Sequence, residues 1–238
     1  LLATRNLLVS LERTQATHVS FCTIVVALAA SPVAAVADGK EVLEAYAETT
    51  TDEPVNLLLR VRSGTSPAQR FAAKSKGDLL IISGDLILST DGNQPIILIR
   101  TLCNAQPDQF VNETLIVGRL SSDAKESPSS KSVSRSVAVN RYVNQEEITD
   151  WFRVRAYGYS KDRLQQADKG SLVSVSGVLE QRRNRDGAPY PELKVRQIKV
   201  HNKSRAGSSS AKDPAAGTSA VGYSHSDFTE DLDMPSTW

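Results

Sequence analysis

The chain has 238 residues, of which 40% are hydrophobic, and carries a formal net charge of +1; that length suits one large domain or two of ordinary size. It has no apolar run of about 18 residues, so no membrane-spanning helix is expected. The two cysteines, Cys22 and Cys103, lie far apart and outside any C-x-x-C pair. Neither a disulfide framework nor a zinc site is indicated, and both read as reduced core thiols.

The charge is unevenly spread. Residues 19–108 hold 7 basic and 10 acidic residues, residues 112–203 hold 17 and 11, and residues 204–238 hold 2 and 5. A basic central module beside an acidic tail points to a polyanion partner. Enzymatic chemistry is not expected. His18, His201 and His225 have no partnered nucleophile or metal spacing, and no glycine-rich phosphate loop occurs. No cofactor and no metal are therefore expected.

Residues 1–18 read as an N-terminal extension. The apolar stretch 19–37 ends Ala35-Val36-Ala37 and follows Arg5 and Arg13, which resembles a secretory signal with a small-residue cleavage site. An internal repeat argues for a different reading. Arg60-Val61-Arg62 recurs as Arg153-Val154-Arg155, and Gly77 to Gly84 matches Gly170 to Gly177, both 93 positions on. Asp91-Gly92 matches Asp186-Gly187, and Thr23-Ile24-Val25 matches Thr114-Leu115-Ile116 at an offset of 91. Residues 23–28 then hold the place of a first strand, and a buried strand explains the apolar run.

Each unit reads as short Val-, Ile- and Leu-rich strands bounded by turn residues. A helix is expected between Ser66 and Lys76 and between Ser160 and Lys169, and the Asp-Gly pairs mark hairpins. The fold class is all-β with one short helix per unit: two tandem OB-fold (Greek-key) barrels, 19–106 and 112–203, joined by 105–111. Residues 204–238 read as a flexible linker and acidic tail.

In the second unit, Trp151-Phe152-Arg153-Val154-Arg155-Ala156-Tyr157 alternates. Phe152, Val154 and Ala156 belong to the core, while Trp151, Arg153, Arg155 and Tyr157 share the other face. Aromatic rings stack on bases with little regard to sequence, and guanidinium groups neutralise phosphate or stack by their planes. Arg182, Arg183 and Arg185 precede the 186–187 turn, with Tyr190 and Lys194 beyond it, as a basic hairpin arm would.

These residues carry a resemblance. Residues 112–203 resemble the bacterial single-stranded DNA-binding protein family through Thr114 to Leu120, Asp150 to Gly158 and Lys169 to Gly177. The resemblance implies sequence-tolerant binding of single-stranded DNA in replication, recombination or repair, with base stacking at Trp151 and Tyr157 and another stacking position near Tyr142. A hairpin position often filled by Trp in the family is Asn184 here. The tail also resembles the family's acidic tip, so Asp231, Asp233, Met234, Pro235 and Trp238 are implied to dock replication or repair proteins, although Ser236-Thr237 separate the proline from the terminal aromatic. Four OB folds are the family's usual number, which implies a homodimer. A cytoplasmic, nucleoid location is implied as well. In the first unit Leu58 stands where Trp151 stands and Gly64 where Tyr157 stands, so that unit is expected to lack a stacking surface and to serve as a scaffold. Its opening Ser20-Phe21-Cys22-Thr23 resembles short cyanobacterial and plastid relatives, some thylakoid-associated. The rival reading is an OB-fold protein–protein adaptor with weak DNA binding.

Overall fold

A computed structural model describes residues 18–51, 53–90, 92–127, 131–184 and 186–201. The first unit contains β1 (Val19–Leu28), β2 (Val33–Ala37), β3 (Lys40–Thr49), β4 (Asn56–Arg62), α1 (Ser66–Ala72), β5 (Leu79–Leu88) and β6 (Pro95–Asn104). The second contains β7 (Asn112–Leu120), β8 (Lys125–Ser127), β9 (Ser132–Val143), β10 (Glu146–Tyr157), α2 (Gly158–Gln166), β11 (Leu172–Arg183) and β12 (Pro189–His201). The apolar stretch 19–37 thus forms β1 and β2, and the first strand begins four residues earlier than the repeat suggested.

Each set of strands curls on itself. In the first, β1 pairs with β3 as well as β5, and β4 runs parallel to β6. In the second, β7 pairs with β9 as well as β11, and β10 runs parallel to β12. Inward and outward side chains alternate along most of the strands, with runs buried on both faces at Ile24 to Val26 and Leu86 to Leu88. Ile24, Leu57, Leu59, Leu80, Ile82 and Phe71 fill one barrel, and Ile116, Val137, Phe152, Val154, Val173 and Val175 fill the other.

Both barrels bend at the same device. The β5–β6 register shifts between Ser83 and Gly84, and the β11–β12 register shifts between Ser176 and Gly177. A Cβ on Gly84 would lie 2.1 Å from the Leu98 carbonyl oxygen, and one on Gly177 would lie 2.0 Å from that of Lys194. Only glycine permits that approach of two backbones.

The two barrels join through β1 and β7, which pair antiparallel with Cys22 opposite Thr114. Among the described residues this yields one continuous sheet of twelve strands. The joint is nearly two-fold symmetric. The Asn112 side chain makes two hydrogen bonds of 3.0 Å with the Leu179 backbone, and Ser20 Oγ donates to the matching Leu86 carbonyl. Asn56 N–H donates to Gln181 Oε1 at 3.0 Å, and Leu88 N–H donates to Asp150 Oδ1 at 3.4 Å.

Three details differ from the sequence reading. First, Cys22 pairs with Gly84 where Thr114 pairs with Gly177, and Ile24 with Ile82 where Ile116 pairs with Val175. The strand offset is therefore 92, not 91. A slip of one residue would turn every side chain to the opposite face. Second, α2 starts at Gly158 with Tyr157 as its N-cap, ahead of the Ser160 start that was expected. Third, only Cys22 is a core thiol, and burial pushes its pKa up to about 12. Cys103 is exposed, because its register with Ile81 sets it on the outer sheet face.

Candidate nucleic-acid interface

The alternation along β10 is realised. Phe152, Val154 and Ala156 are buried, while Trp151 stands 56% exposed. Arg153 is exposed, and Arg155 and Tyr157 are half-buried on the same outward face. β9 supplies the floor. Trp151, Arg153, Arg155 and Tyr157 lie opposite Ala138, Ser136, Ser134 and Ser132. These small side chains leave the larger ones standing above the sheet, open to a planar ligand.

β12 borders the other side. The Arg153 guanidinium carbon lies 4.3 Å from the centroid of the Tyr190 ring, a cation–π distance that holds both side chains without consuming the charge. A pocket of about 320 Å³ opens here, lined by Lys125, Arg135, Arg153, Arg155, Tyr190 and Glu192. Lys125 and Arg135 were not anticipated from sequence. Arg135 is structural: it is 5% exposed and donates to the carbonyls of Ser122, Leu164 and Ala167, tying β9 to the C-terminal end of α2.

Arg155 is placed differently from Arg153. Its Nε and Nη2 donate to the two carboxylate oxygens of Glu192 at 2.7 and 3.2 Å, and Glu192 is only 4% exposed. The Glu192 hydrogen bond raises the Arg155 pKa above the ordinary arginine value, against the opposing effect of burial. A network follows along the hairpin. Arg182 Nη2 lies 3.0 Å from Glu180 and its Nε 3.8 Å from Glu192, while Lys194 Nζ lies 3.1 Å from Glu180. Three cations thus share two carboxylates. Among the described residues, neither Arg153 nor Arg183 has a carboxylate partner. Arg183 is exposed at the hairpin tip, its Nη1 on the Gly187 carbonyl.

Of the expected site residues, Trp151, Arg153, Arg155, Tyr157 and Tyr190 come together. Arg182 and Lys194 lie in the adjoining ion network. Tyr142 is 73% exposed near the β9–β10 turn, in register with Glu147. It lies four ladder pairs from Trp151 on the same outward face, about 13 Å at ~3.3 Å per residue, and extends the row toward the turn. Arg185, Asp231, Asp233, Met234, Pro235 and Trp238 lie outside the described residues. The groups that could face a phosphate are Arg153, Arg183 and Lys125, and those that could stack on a base are Trp151, Tyr157 and Tyr190.

The face of the first unit is not bare. Leu58 does occupy the place of Trp151, yet Tyr46 stands beside it on β3, paired in register and 60% exposed. The alternation of Glu44, Tyr46 and Glu48 with the inward Ala45 and Ala47 was the signal that could have found it.

Among known proteins, the family model described as "Single-strand binding protein family" matches residues 111–202. The crystal structure of wild-type single-stranded DNA binding protein from Thermus aquaticus superposes with a TM-score of 0.58 at 16% identity, covering 81% of this chain and 97% of that one. A deletion mutant of the Thermus aquaticus protein gives 0.57 at 16% identity, covering 79% and 97%. At such identities the likeness is one of fold, and it extends over both barrels. No curated protein matches the chain.

Proposed function

We propose, on the match of residues 111–202 to the single-strand binding protein family, that the chain holds single-stranded DNA without regard to sequence on the outward face of β10. One observation carries this reading. Trp151 stands 56% exposed on a floor of Ala and Ser, in one file with Arg153, which has no carboxylate partner among the described residues. Bases stack on Trp151 and Tyr157, and Tyr190 and Arg153 form a second ledge. Phosphates run along Arg153, Lys125 and Arg183, while Arg155 acts as a positioning residue that Glu192 fixes under the face. Duplex DNA hides its bases and offers this face little. Gel shift against oligo-dT and a duplex of equal length separates the outcomes. The chain retains the single strand and releases the duplex, whereas equal retention of both would contradict the proposal.

The chain acts in replication, recombination or repair, where single strands arise, and its acidic C-terminal residues recruit partner enzymes. Two chains form a homodimer with four barrels. The pairing of β1 with β7 already joins two barrels within one chain, so the dimer uses the outer sheet face, where Leu115 is 41% exposed beside its register partner Phe21. Light scattering is expected to give the mass of two chains at micromolar concentration. The mass of one chain at every concentration, with DNA binding intact, would rule the homodimer out.

A further inference from the structure

The outward face of β3 and β4 runs in register rows: Tyr46 beside Leu58, then Glu44 beside Arg60, then Val42 beside Arg62. The last two rows lead into a groove of about 360 Å³ lined by Lys40, Arg60, Arg62, Arg100, Arg141 and Tyr142. Arg141 and Tyr142 belong to the second unit, whose β9–β10 hairpin leans over the first. Asn144 Nδ2 donates to the Asp38 carbonyl at 3.4 Å and holds the hairpin against the β2–β3 turn. Three of the cations are compensated: Arg60 by Glu44 at 2.6 Å, Arg100 by Asp85 at 2.8 Å and Arg141 by Asp150 at 2.7 Å. Arg62 and Lys40 have no carboxylate partner among the described residues, although the Asp38 side chain also borders the groove. Tyr142 at the groove and Tyr46, two rows from Arg62 beyond the Glu44–Arg60 pair, thus lie along one path with two cations that have no carboxylate partner among the described residues.

We infer that this path is a second base-stacking site, built by the first unit and completed by the hairpin of the second. Its ligand is a run of unstacked nucleobases with their phosphates. Tyr46 and Tyr142 carry the bases, and Arg62 and Lys40 face the phosphates. Tyr142 lies on the same side of β9–β10 as Trp151, four ladder pairs further toward the turn. A strand leaving Trp151 along that sheet meets Tyr142, then Arg62, then Tyr46. The first unit thus binds the strand through an aromatic moved from β4 to the neighbouring β3. This inference rests on the single-strand reading proposed above.

The test uses the full chain and two oligo-dT probes. One has about 10 nucleotides, within the ~4–16 that one OB fold covers, and one has about 35, which exceeds it. Tyr46→Ser is expected to leave affinity for the short probe unchanged and to weaken the long probe roughly 5- to 150-fold, the loss of one stacked base. Tyr46→Phe keeps the ring and retains the parent affinity for both. Arg62→Ala with Lys40→Ala is expected to make the salt dependence for the long probe shallower by ~0.7 per lost phosphate contact. If Tyr46→Ser binds the long probe as the parent does, or weakens both probes equally, the second site is overturned while the Trp151 face stands. If the parent chain binds neither probe, both the proposed function and this inference fall.

Discussion

Replacing Trp151 and Tyr157 together by alanine is expected to cost about 2–6 kcal/mol of affinity for oligo-dT, roughly 30-fold to 10⁴-fold, from about 1–3 kcal/mol per stacked base. Trp151 stands out from the sheet over Ala138, and its removal exposes no core. Tyr157 is half-buried and ends β10 at the N-cap of α2, so its loss also touches local packing. Thermal melting of the variant controls for that. Fluorescence anisotropy of a labelled oligomer reads the affinity, and Trp151→Phe with Tyr157→Phe is expected to keep most of it. A folded alanine variant that binds as tightly as the parent would remove the aromatic face from the mechanism.

The second large effect is on stability and has the opposite sign for binding. Glu192→Ala removes the carboxylate that Arg155 grips with two nitrogens and that Arg182 approaches. Breaking a buried pair by deleting one partner costs about 3–5 kcal/mol. Arg155 keeps 20% of its side chain exposed, which places the loss near ~3 kcal/mol because water reaches the orphaned charge. Urea unfolding measures it. The freed guanidinium then faces the same surface as Arg153, so single-strand affinity at low salt rises. The salt dependence steepens by ~0.7 for each cation released to a phosphate. A variant that is destabilised but shows the parent's salt dependence would mean that Arg155 cannot turn to the ligand.

The sequence made the Trp151 face legible because a strand has a period of two, and the run from Trp151 to Tyr157 alternates aromatic or arginine with apolar residues without a break. The repeat was legible because the glycines at the two bulges admit no other side chain. The position of β1 was not. Ile24, Val25 and Val26 are all buried, so the apolar pattern there has no period and cannot fix a register. The charge pairings were not legible either. Arg155 and Glu192 are 37 residues apart and meet only because β10 and β12 run parallel at the barrel closure. The arginines counted toward a basic surface therefore include some already neutralised within the fold. Tyr46 was not legible either, because the repeat aligns Leu58 with Trp151 while the ring lies across the ladder on β3. The internal β1–β7 pairing was one of two arrangements that the short connection at 105–111 permits.

The most direct measurement is the fluorescence of Trp151 in a Trp238→Phe background, where it is the chain's one remaining tryptophan, titrated with oligo-dT at several salt concentrations. Stacking of a base on the indole is expected to quench the emission saturably, with an affinity that falls as salt rises. Unchanged emission while the oligomer binds would contradict the account, because the strand would then lie somewhere other than the face that Trp151 presents.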